Sequence, residues 1–136
     1  ITTLANKKNI DIAYKPDHQG NIVADYQAFE RIMNNLIDNA IKYSDKNSKI
    51  TVSTFNEADE YIKILVEDSG EGISPEDKDH IFSRFYRTAS ARATDNQGSG
   101  LGLAIVKHLV NSLNGEVGVQ NSKTKGSVFW FTVPLA

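Results

Sequence analysis

Residues 50–66 read ITVSTFNEADEYIKILV, and they decide the fold class of this chain. Apolar or β-branched residues alternate with polar ones in each half of the stretch, which predicts two half-buried strands. The set expected to face inward is Ile50, Val52, Thr54, Ile62, Ile64 and Val66. The polar residues 56–60 between the two runs are typical of a hairpin, so the strands are predicted to be antiparallel.

Helical periodicity appears on both sides of this hairpin. Asp25 is predicted to cap a long helix, and a second helix is predicted from about Gly100 to a stop at Asn114-Gly115. The buried stripe of the first helix is Phe29, Ile32, Met33, Leu36, Ile37, Ala40 and Ile41, and that of the second is Leu103, Ile105, Val106, Leu109, Val110 and Leu113. A short third helix is predicted at Ser74-Pro75, where a hydroxyl cap precedes proline.

The remaining strands are short. Residues 10–14 alternate as a strand does, residues 16–20 are turn-like, and a second short strand is predicted near Ile22-Val23. Two final strands are predicted at 116–121 and 127–133. Helices and strands interleave without regular alternation, which favours an α+β fold over a doubly wound parallel one. The prediction is a two-layer α/β sandwich with a mixed, mostly antiparallel sheet and about three helices on one face.

Composition limits the class of protein. The 136 residues suit a single domain over 1–136, with 40% hydrophobic residues and a net charge of −2. Near-neutral charge predicts no contact with nucleic acid or with a membrane surface. The lack of cysteine excludes a disulfide framework and a cysteine nucleophile, and it fits a reducing compartment. No signal peptide or spanning run is present, and the missing initiator Met indicates a fragment of a longer protein.

The sequence DSGEGI, residues 68–73, directly follows the strand that ends at Val66. Gly70 and Gly72 let the backbone turn sharply and come close to a flat ligand. The Asp68 carboxylate accepts hydrogen bonds only, so it suits the amino group of adenine and not the carbonyl of guanine. An ordinary Asx turn after a strand is the alternative.

The sequence GSGLGL, residues 98–103, leads into the second long helix. Alternating glycines leave backbone N–H groups and the helix dipole directed at one place, which is typical of an anion site and favours polyphosphate. The spacing matches neither the P-loop nor the dinucleotide-binding pattern. The alternative is a flexible hinge before a helix.

The sequence NNLIDNAIKY, residues 34–43, lies on the first long helix. Asn35 and Asn39 are one turn apart on one face, and Lys42 lies close to the same face. Two amide oxygens and an ammonium group suit hydrated Mg²⁺ with phosphate oxygens attached. A solvated polar helix face is the alternative.

The sequence FSRFYR, residues 82–87, precedes a small, polar stretch that is predicted to be a mobile loop. Phe82 and Phe85 could anchor the base of this loop. Arg84 and Arg87 carry guanidinium groups that suit the oxygens of a γ-phosphate. Two surface arginines beside two core aromatic residues are the alternative.

The order of these motifs carries more information than any one of them. NxxxNAxKY, DxGxG, FxxFYR and GxGLGL follow one another, and a KGSxF strand at residues 125–129 comes last. This succession, over about residues 10–134, resembles the catalytic and ATP-binding domain of sensor histidine kinases. That family shares a superfamily with gyrase, MutL and a heat-shock chaperone. The resemblance implies ATP and Mg²⁺ as ligands.

The resemblance assigns roles by position. Asn39 would hold Mg²⁺ with help from Asn35, and Lys42 would reach the phosphates. Asn39, Arg84 and Arg87 are the catalytic candidates. The residues expected around adenine are Tyr43, Asp68, Gly70, Gly72 and Ile73. The residues expected at the two ends of an ATP lid are Phe82, Phe85 and Arg87 on one side, and Gly98, Ser99, Gly100, Leu101, Gly102 and Leu103 on the other.

Asn35 bears on the reaction. Related ATPases of the superfamily have at this position a Glu that activates water, and an amide cannot serve as a general base. Slow hydrolysis is therefore expected, with transfer of the γ-phosphoryl group to a histidine favoured. The sequence departs from the family pattern at Thr124, where a Gly is usual in the last motif, and at residues 113–115, which read Leu-Asn-Gly.

The acceptor histidine is expected elsewhere. His18, His80 and His108 lack the surroundings of the family's acceptor motif and are predicted to be structural or solvated. The implied partners are a histidine-bearing dimerisation domain of the same full-length protein, absent from this segment, and indirectly a response regulator. A monomeric, cytoplasmic domain of a membrane-anchored sensor protein is expected. The alternatives are a slow ATPase, a nucleotide-dependent docking module, and a serine kinase of the anti-sigma factor type.

Overall fold

A five-stranded mixed sheet forms one layer of the fold. The structure is a computed structural model that describes residues 9–17, 20–21, 25–70, 72–84, 86, 102–122 and 126–135. The strands are β1 (Asp11–Asp17), β2 (Lys49–Glu57), β3 (Tyr61–Glu67), β4 (Val117–Asn121) and β5 (Ser127–Pro134). Their spatial order is β1-β2-β3-β5-β4. Among the strand pairs of the described residues, only β1–β2 is parallel, which confirms the predicted mixed, mostly antiparallel sheet.

The hairpin of β2 and β3 is antiparallel, as predicted. Val52 pairs with Val66 and Asn56 with Ile62, and the turn uses Ala58 and Asp59 at φ 55° and 56°. The residues predicted to face inward are all buried, and Thr54 is the single polar member of that set. Strict alternation therefore placed this pair of strands correctly, because a shift of one residue would have exposed every apolar side chain.

The helices form the second layer. They are α1 (Tyr26–Tyr43), α2 (Pro75–Lys78) and α3 (Gly102–Ser112). The Asp25 carboxylate accepts a hydrogen bond from the Gln27 amide at 2.9 Å, as expected of an N-cap. α1 and α3 pack side by side over the sheet. The fully buried residues of these two helices are Ile32, Leu36, Ala40, Ile41, Val106 and Val110.

The structure differs from the prediction at the first strand. β1 continues to Asp17 through Pro16, which was predicted to begin a turn. Proline is tolerated because β1 is an edge strand, where a missing backbone donor can face away from the sheet. The short strand predicted near Ile22-Val23 lies outside the described residues.

The predicted start of α2 and the predicted stop of α3 are both confirmed. Ser74 caps α2, but this helix ends at Lys78, so His80 lies in the turn after it. At the end of α3, Asn114 has φ 64° and the Gly115 amide donates to the Val110 carbonyl at 3.0 Å, which confirms the predicted stop. None of the helices in the described residues is both long enough and apolar enough to cross a membrane.

Candidate functional site

Asp68 stands at the centre of the site, directly after the end of β3, and it is 3% exposed. Its Oδ1 accepts hydrogen bonds from the Gly70 amide at 3.0 Å and the Ser127 amide at 3.1 Å. Its Oδ2 accepts from the Ser127 hydroxyl at 3.2 Å. The Asp68 amide in turn donates to the Ser127 carbonyl at 2.9 Å. The end of β3 is thereby joined to the beginning of β5 through one carboxylate.

The surroundings of Asp68 have opposing effects on the pKa of its carboxyl group. Burial raises the pKa of its carboxyl group above the usual 3.8, and the charge of Glu67 adds to this, while the hydrogen bonds from Gly70 and Ser127 oppose it. A carboxylate can accept about four hydrogen bonds, so Oδ2 retains capacity for a further donor. A buried acceptor with remaining capacity suits an amino group of a ligand.

Two glycines allow the close packing around this carboxylate. A Cβ atom at Gly70 would lie 2.1 Å from the Tyr43 carbonyl oxygen, so only glycine lets the end of α1 reach the end of β3. Gly126 has φ +100°, and a Cβ there would lie 2.1 Å from the Asp68 carbonyl oxygen. The predicted reason for Gly70 was approach to a ligand. The structure shows a packing role for Gly70 at the Tyr43 carbonyl, and the approach to a ligand stays a prediction.

A second loop segment is held by Asn121 at the end of β4. The Asn121 Oδ1 accepts a hydrogen bond from the Ile73 amide at 2.9 Å. Gly72 precedes Ile73 with φ +87° and lies close to the same oxygen. The side chain of Ile73 packs against the hydrophobic core. Asn121 therefore fixes the position of residues 72–73 relative to the sheet.

The predicted polar face of α1 lies beside the start of α3. The Asn35 Oδ1 is 3.9 Å from the point where a Cβ atom of Gly102 would be, so these two predicted residues are neighbours. Asn35 Nδ2 is buried and has no hydrogen-bond partner among the described residues. One turn further along, Asn39 is half-buried. Lys42 Nζ lies 3.2 Å from Asp38 Oδ2.

These groups fit a polyphosphate with a bound metal ion. A buried amide donor without a partner costs about 1–3 kcal/mol, and a phosphate oxygen would satisfy it. The N-terminus of α3 adds a positive dipole end beside Asn35, and Lys42 adds an ammonium group. The amide oxygens of Asn35 and Asn39 are ligands of the type that Mg²⁺ accepts together with phosphate oxygens.

The aromatic–arginine motif begins on the core and continues beyond the described residues. The Phe82 ring meets the Phe129 ring edge-on, with centroids 6.2 Å apart. Arg84 is exposed. The Tyr86 hydroxyl donates to Asp77 Oδ1, while Asp77 Oδ2 accepts from the Ser74 hydroxyl at 3.0 Å. Tyr86 is therefore attached to the start of α2.

Several predicted residues cannot be placed. Phe85, Arg87, Gly98, Ser99, Gly100 and Leu101 lie outside the described residues, as does His18. Leu103 packs against the hydrophobic core, which is one of the two roles predicted for it. His80 and His108 are exposed, and the His80 ring centroid lies 5.5 Å from that of Tyr86.

Sequence reasoning missed the partners of the site that come from distant parts of the chain. Ser127 lies in the quoted KGSxF motif, yet nothing local indicates that its amide and hydroxyl face Asp68. Asn121 carried no signal, because a strand end with a polar residue is common. Asp38 stood inside the quoted helical motif but received no role, although it is the ion-pair partner of Lys42.

Comparison with known proteins agrees with this geometry. Residues 24–136 match the family described as histidine kinase-, DNA gyrase B-, and HSP90-like ATPase. The sensor protein CiaH of Streptococcus pneumoniae is 37% identical over 126 residues, which cover 93% of this chain and 28% of CiaH. The chain thus spans less than a third of that relative.

Solved structures agree as well. Full-length ShkA in complex with AMPPNP has a TM-score of 0.84 at 31% identity, covering 98% of this chain and 27% of ShkA. Histidine kinase ThkA in complex with response regulator protein TrrA has a TM-score of 0.79 at 27% identity, covering 99% of this chain and 37% of ThkA. The motif order, the fold and these similarities together show that the chain belongs to the histidine kinase-, DNA gyrase B- and HSP90-like ATPase family, as an ATP-binding domain of the sensor histidine kinase type.

Proposed function

We propose that this domain binds ATP with Mg²⁺ and presents the γ-phosphoryl group to a histidine on a separate dimerisation domain of the same full-length protein. The observation that carries the proposal is the buried Asp68 carboxylate with acceptor capacity left on Oδ2. A hydrogen bond from the adenine amino group would use that capacity. Guanine presents a carbonyl at the same place, and its oxygen would meet the carboxylate oxygen without a proton between them.

The phosphates would lie between α1 and the start of α3. The backbone N–H groups at the start of α3 and the Asn35 amide donor would bind phosphate oxygens, and Lys42 would balance their charge. Asn39 and Asn35 would hold Mg²⁺ through their amide oxygens. When bound, Mg²⁺ neutralises charge on the phosphates during transfer. Arg84 and Arg87 would add positive charge near the γ-phosphate, as their sequence positions predict.

Transfer to histidine needs little covalent chemistry from this domain. The bond between the γ-phosphorus and the bridging oxygen breaks, a bond from the phosphorus to an imidazole nitrogen forms, and ADP leaves. Positioning and charge neutralisation accelerate such a step more than acid–base chemistry does. Because Asn35 cannot take a proton from water, hydrolysis would compete poorly with transfer.

The proposal extends to the domain organisation, the partners and the cellular location of the protein. Residues 1–136 would form one catalytic domain that is monomeric when isolated, with the dimerisation domain supplied by another part of the protein. Structural similarity to ThkA, which was solved in complex with response regulator protein TrrA, supports a response regulator as the later recipient of the phosphoryl group. ATP is an intracellular substrate, so the domain would lie on the cytoplasmic side.

The direct test mixes this domain with a histidine-bearing dimerisation domain and ATP that is radiolabelled at the γ-phosphate. We expect label on the partner that is stable to base and lost in acid, as for a phosphorus–nitrogen bond. Replacing the acceptor histidine of the partner by Gln serves as the control and should abolish labelling. The Asn39→Ala variant should reduce labelling, because it removes a proposed metal ligand.

Two outcomes would contradict the proposal in different ways. Tight binding of ATP without transfer to any histidine-bearing partner would favour a docking module that uses nucleotide only as a signal. Sustained phosphate release by the isolated domain would favour an ATPase and would show that Asn35 does not protect the γ-phosphate from water.

A further inference from the structure

Asp38 is an acidic side chain that the reaction described above leaves without a role. Its Oδ2 lies 3.2 Å from Lys42 Nζ, and the side chains of Lys42 and Asp38 are 33% and 42% exposed. Helix geometry places Asn35, Asp38, Asn39 and Lys42 within an arc of about 100° on α1. A carboxylate therefore lies among the groups that would meet the phosphates and the metal ion.

Such a carboxylate acts differently on the two forms of a nucleotide. Without a metal ion, the phosphates carry only negative charge, so Asp38 repels them and competes with them for Lys42. With Mg²⁺ bound, the net charge is smaller, and the waters around the ion can donate hydrogen bonds to a carboxylate. The same side chain opposes the first form and favours the second. Partial exposure screens both effects but does not change their sign.

We infer that Asp38 makes the site select metal-loaded nucleotide over free nucleotide. This inference rests on the proposed function, because it requires the phosphates to lie at this face of α1. Asp38 acts on charge and on the position of Lys42, and it takes no part in bond making or breaking. A chain with an uncharged residue at this position would bind nucleotide with less dependence on Mg²⁺.

The test is a pair of calorimetric titrations with a non-hydrolysable ATP analogue, one in Mg²⁺ and one in EDTA. The ratio of the dissociation constant in EDTA to that in Mg²⁺ measures the metal selectivity. For Asp38→Asn we expect tighter binding in EDTA and weaker binding in Mg²⁺, so the ratio falls about fivefold. Asp38→Glu keeps the charge and should retain most of the selectivity.

Glu30→Gln is the matched control. Glu30 is exposed on the same helix and lies about 12 Å from Asp38 along its axis, so this variant removes the same charge away from the site. We expect its ratio to stay within about twofold of the unmodified domain. Because the ratio compares two titrations of one protein, a loss of folded material does not alter it.

The outcomes separate this inference from the proposed function. If the unmodified domain binds nucleotide with Mg²⁺ dependence and Asp38→Asn leaves the ratio unchanged, Asp38 has no part in selectivity, while the proposed function stands. If both constants change by the same factor, Asp38 acts on binding in general and the inference is overturned. If the unmodified domain binds no nucleotide in Mg²⁺, the proposed function itself is wrong.

Discussion

Asp68 is the residue on which the proposed base recognition depends, because its carboxylate ties β3 to β5 and keeps acceptor capacity on Oδ2. In Asp68→Asn, the amide oxygen can still accept from the Gly70 and Ser127 amides, which turns the amide NH₂ toward the ligand. Two donors would then face each other, at a cost of about 1–3 kcal/mol. We expect ATP to bind roughly 10- to 100-fold more weakly, measured with a fluorescent ATP analogue.

A ligand control makes that result specific. The triphosphate of purine riboside lacks the amino group, so Asp68→Asn should bind it nearly as well as the unmodified domain does. Equal losses for both ligands would point to a misfolded pocket instead of a lost contact with adenine. Unchanged binding of ATP would mean that Asp68 does not read the base.

The raised pKa of Asp68 predicts that recognition of the adenine amino group depends on pH. The adenine amino group binds the ionised carboxylate, so the affinity advantage of ATP over purine riboside triphosphate should shrink as pH falls through that pKa, which lies above 3.8. The phosphates of the two ligands titrate alike, so their titration cancels in the ratio of the two affinities, and the same ratio for Asp68→Asn corrects for protonation of the bases. An advantage that stays constant over this range would contradict the prediction.

The contribution of Asp68 to the stability of the nucleotide-free domain should depend on pH in the opposite direction. A carboxyl group with a raised pKa in the folded state binds its proton more tightly there than in the unfolded chain. Its stabilising contribution is therefore complete below pH 3.8 and is lost as pH rises through the folded-state pKa. Urea denaturation of the unmodified domain and of Asp68→Asn at several pH values would isolate this contribution.

At the scale of elements, the contact between α1 and β3 depends on Gly70. In Gly70→Ala, the new Cβ would lie 2.1 Å from the Tyr43 carbonyl oxygen, so the end of α1 must move. We expect a loss of about 2 kcal/mol in the free energy of unfolding, measured by urea denaturation. Gly102→Ala is the matched control, because among the residues that the structure describes its Cβ would meet nothing closer than 3.9 Å. That variant should keep its stability or gain slightly, since Ala favours helix over Gly.

Elements with local signals were predictable, and those that depend on neighbours were not. Asp25 and Ser74 cap their helices as predicted, because a cap is decided within a few residues. The end of β1 was missed, because Pro16 is a turn signal by itself. It can sit in a strand here only because β1 is at the edge of the sheet, and that position is set by strand order across the whole chain.

For the whole molecule, nucleotide binding should raise the stability of the domain. The site takes groups from α1, α3, β3 and β5, so a ligand there favours the folded state over the unfolded chain. At a nucleotide concentration of 100 times the dissociation constant, the gain is about 2.7 kcal/mol, or roughly 10 °C in the melting midpoint. GTP with Mg²⁺ should give a much smaller shift. Equal shifts for ATP and GTP would contradict base recognition by Asp68.

The site as a whole was predictable only as a set of separate motifs. Their order indicated one family, and the structure brings Asn35 to Gly102 and Tyr43 to Gly70. The contacts that hold the proposed adenine side together span 59 residues from Asp68 to Ser127 and 48 residues from Ile73 to Asn121. No periodicity or turn signal reaches so far, so these partners became known only from the fold.

The pairing of β3 with β5 also has a consequence for how the protein is made. Glu67 pairs with Val128 and Tyr61 with Pro134. The central strand β3 therefore cannot complete its pairing until β5, more than 60 residues later in the chain, is available. During synthesis on the ribosome, residues through Glu67 emerge long before their partners do, and the edge of β3 stays uncovered meanwhile. Such long-range pairing is slow to form. The Asp68 carboxylate therefore gains its Ser127 donors only after β5 has been made, and the proposed binding of ATP would have to wait until then.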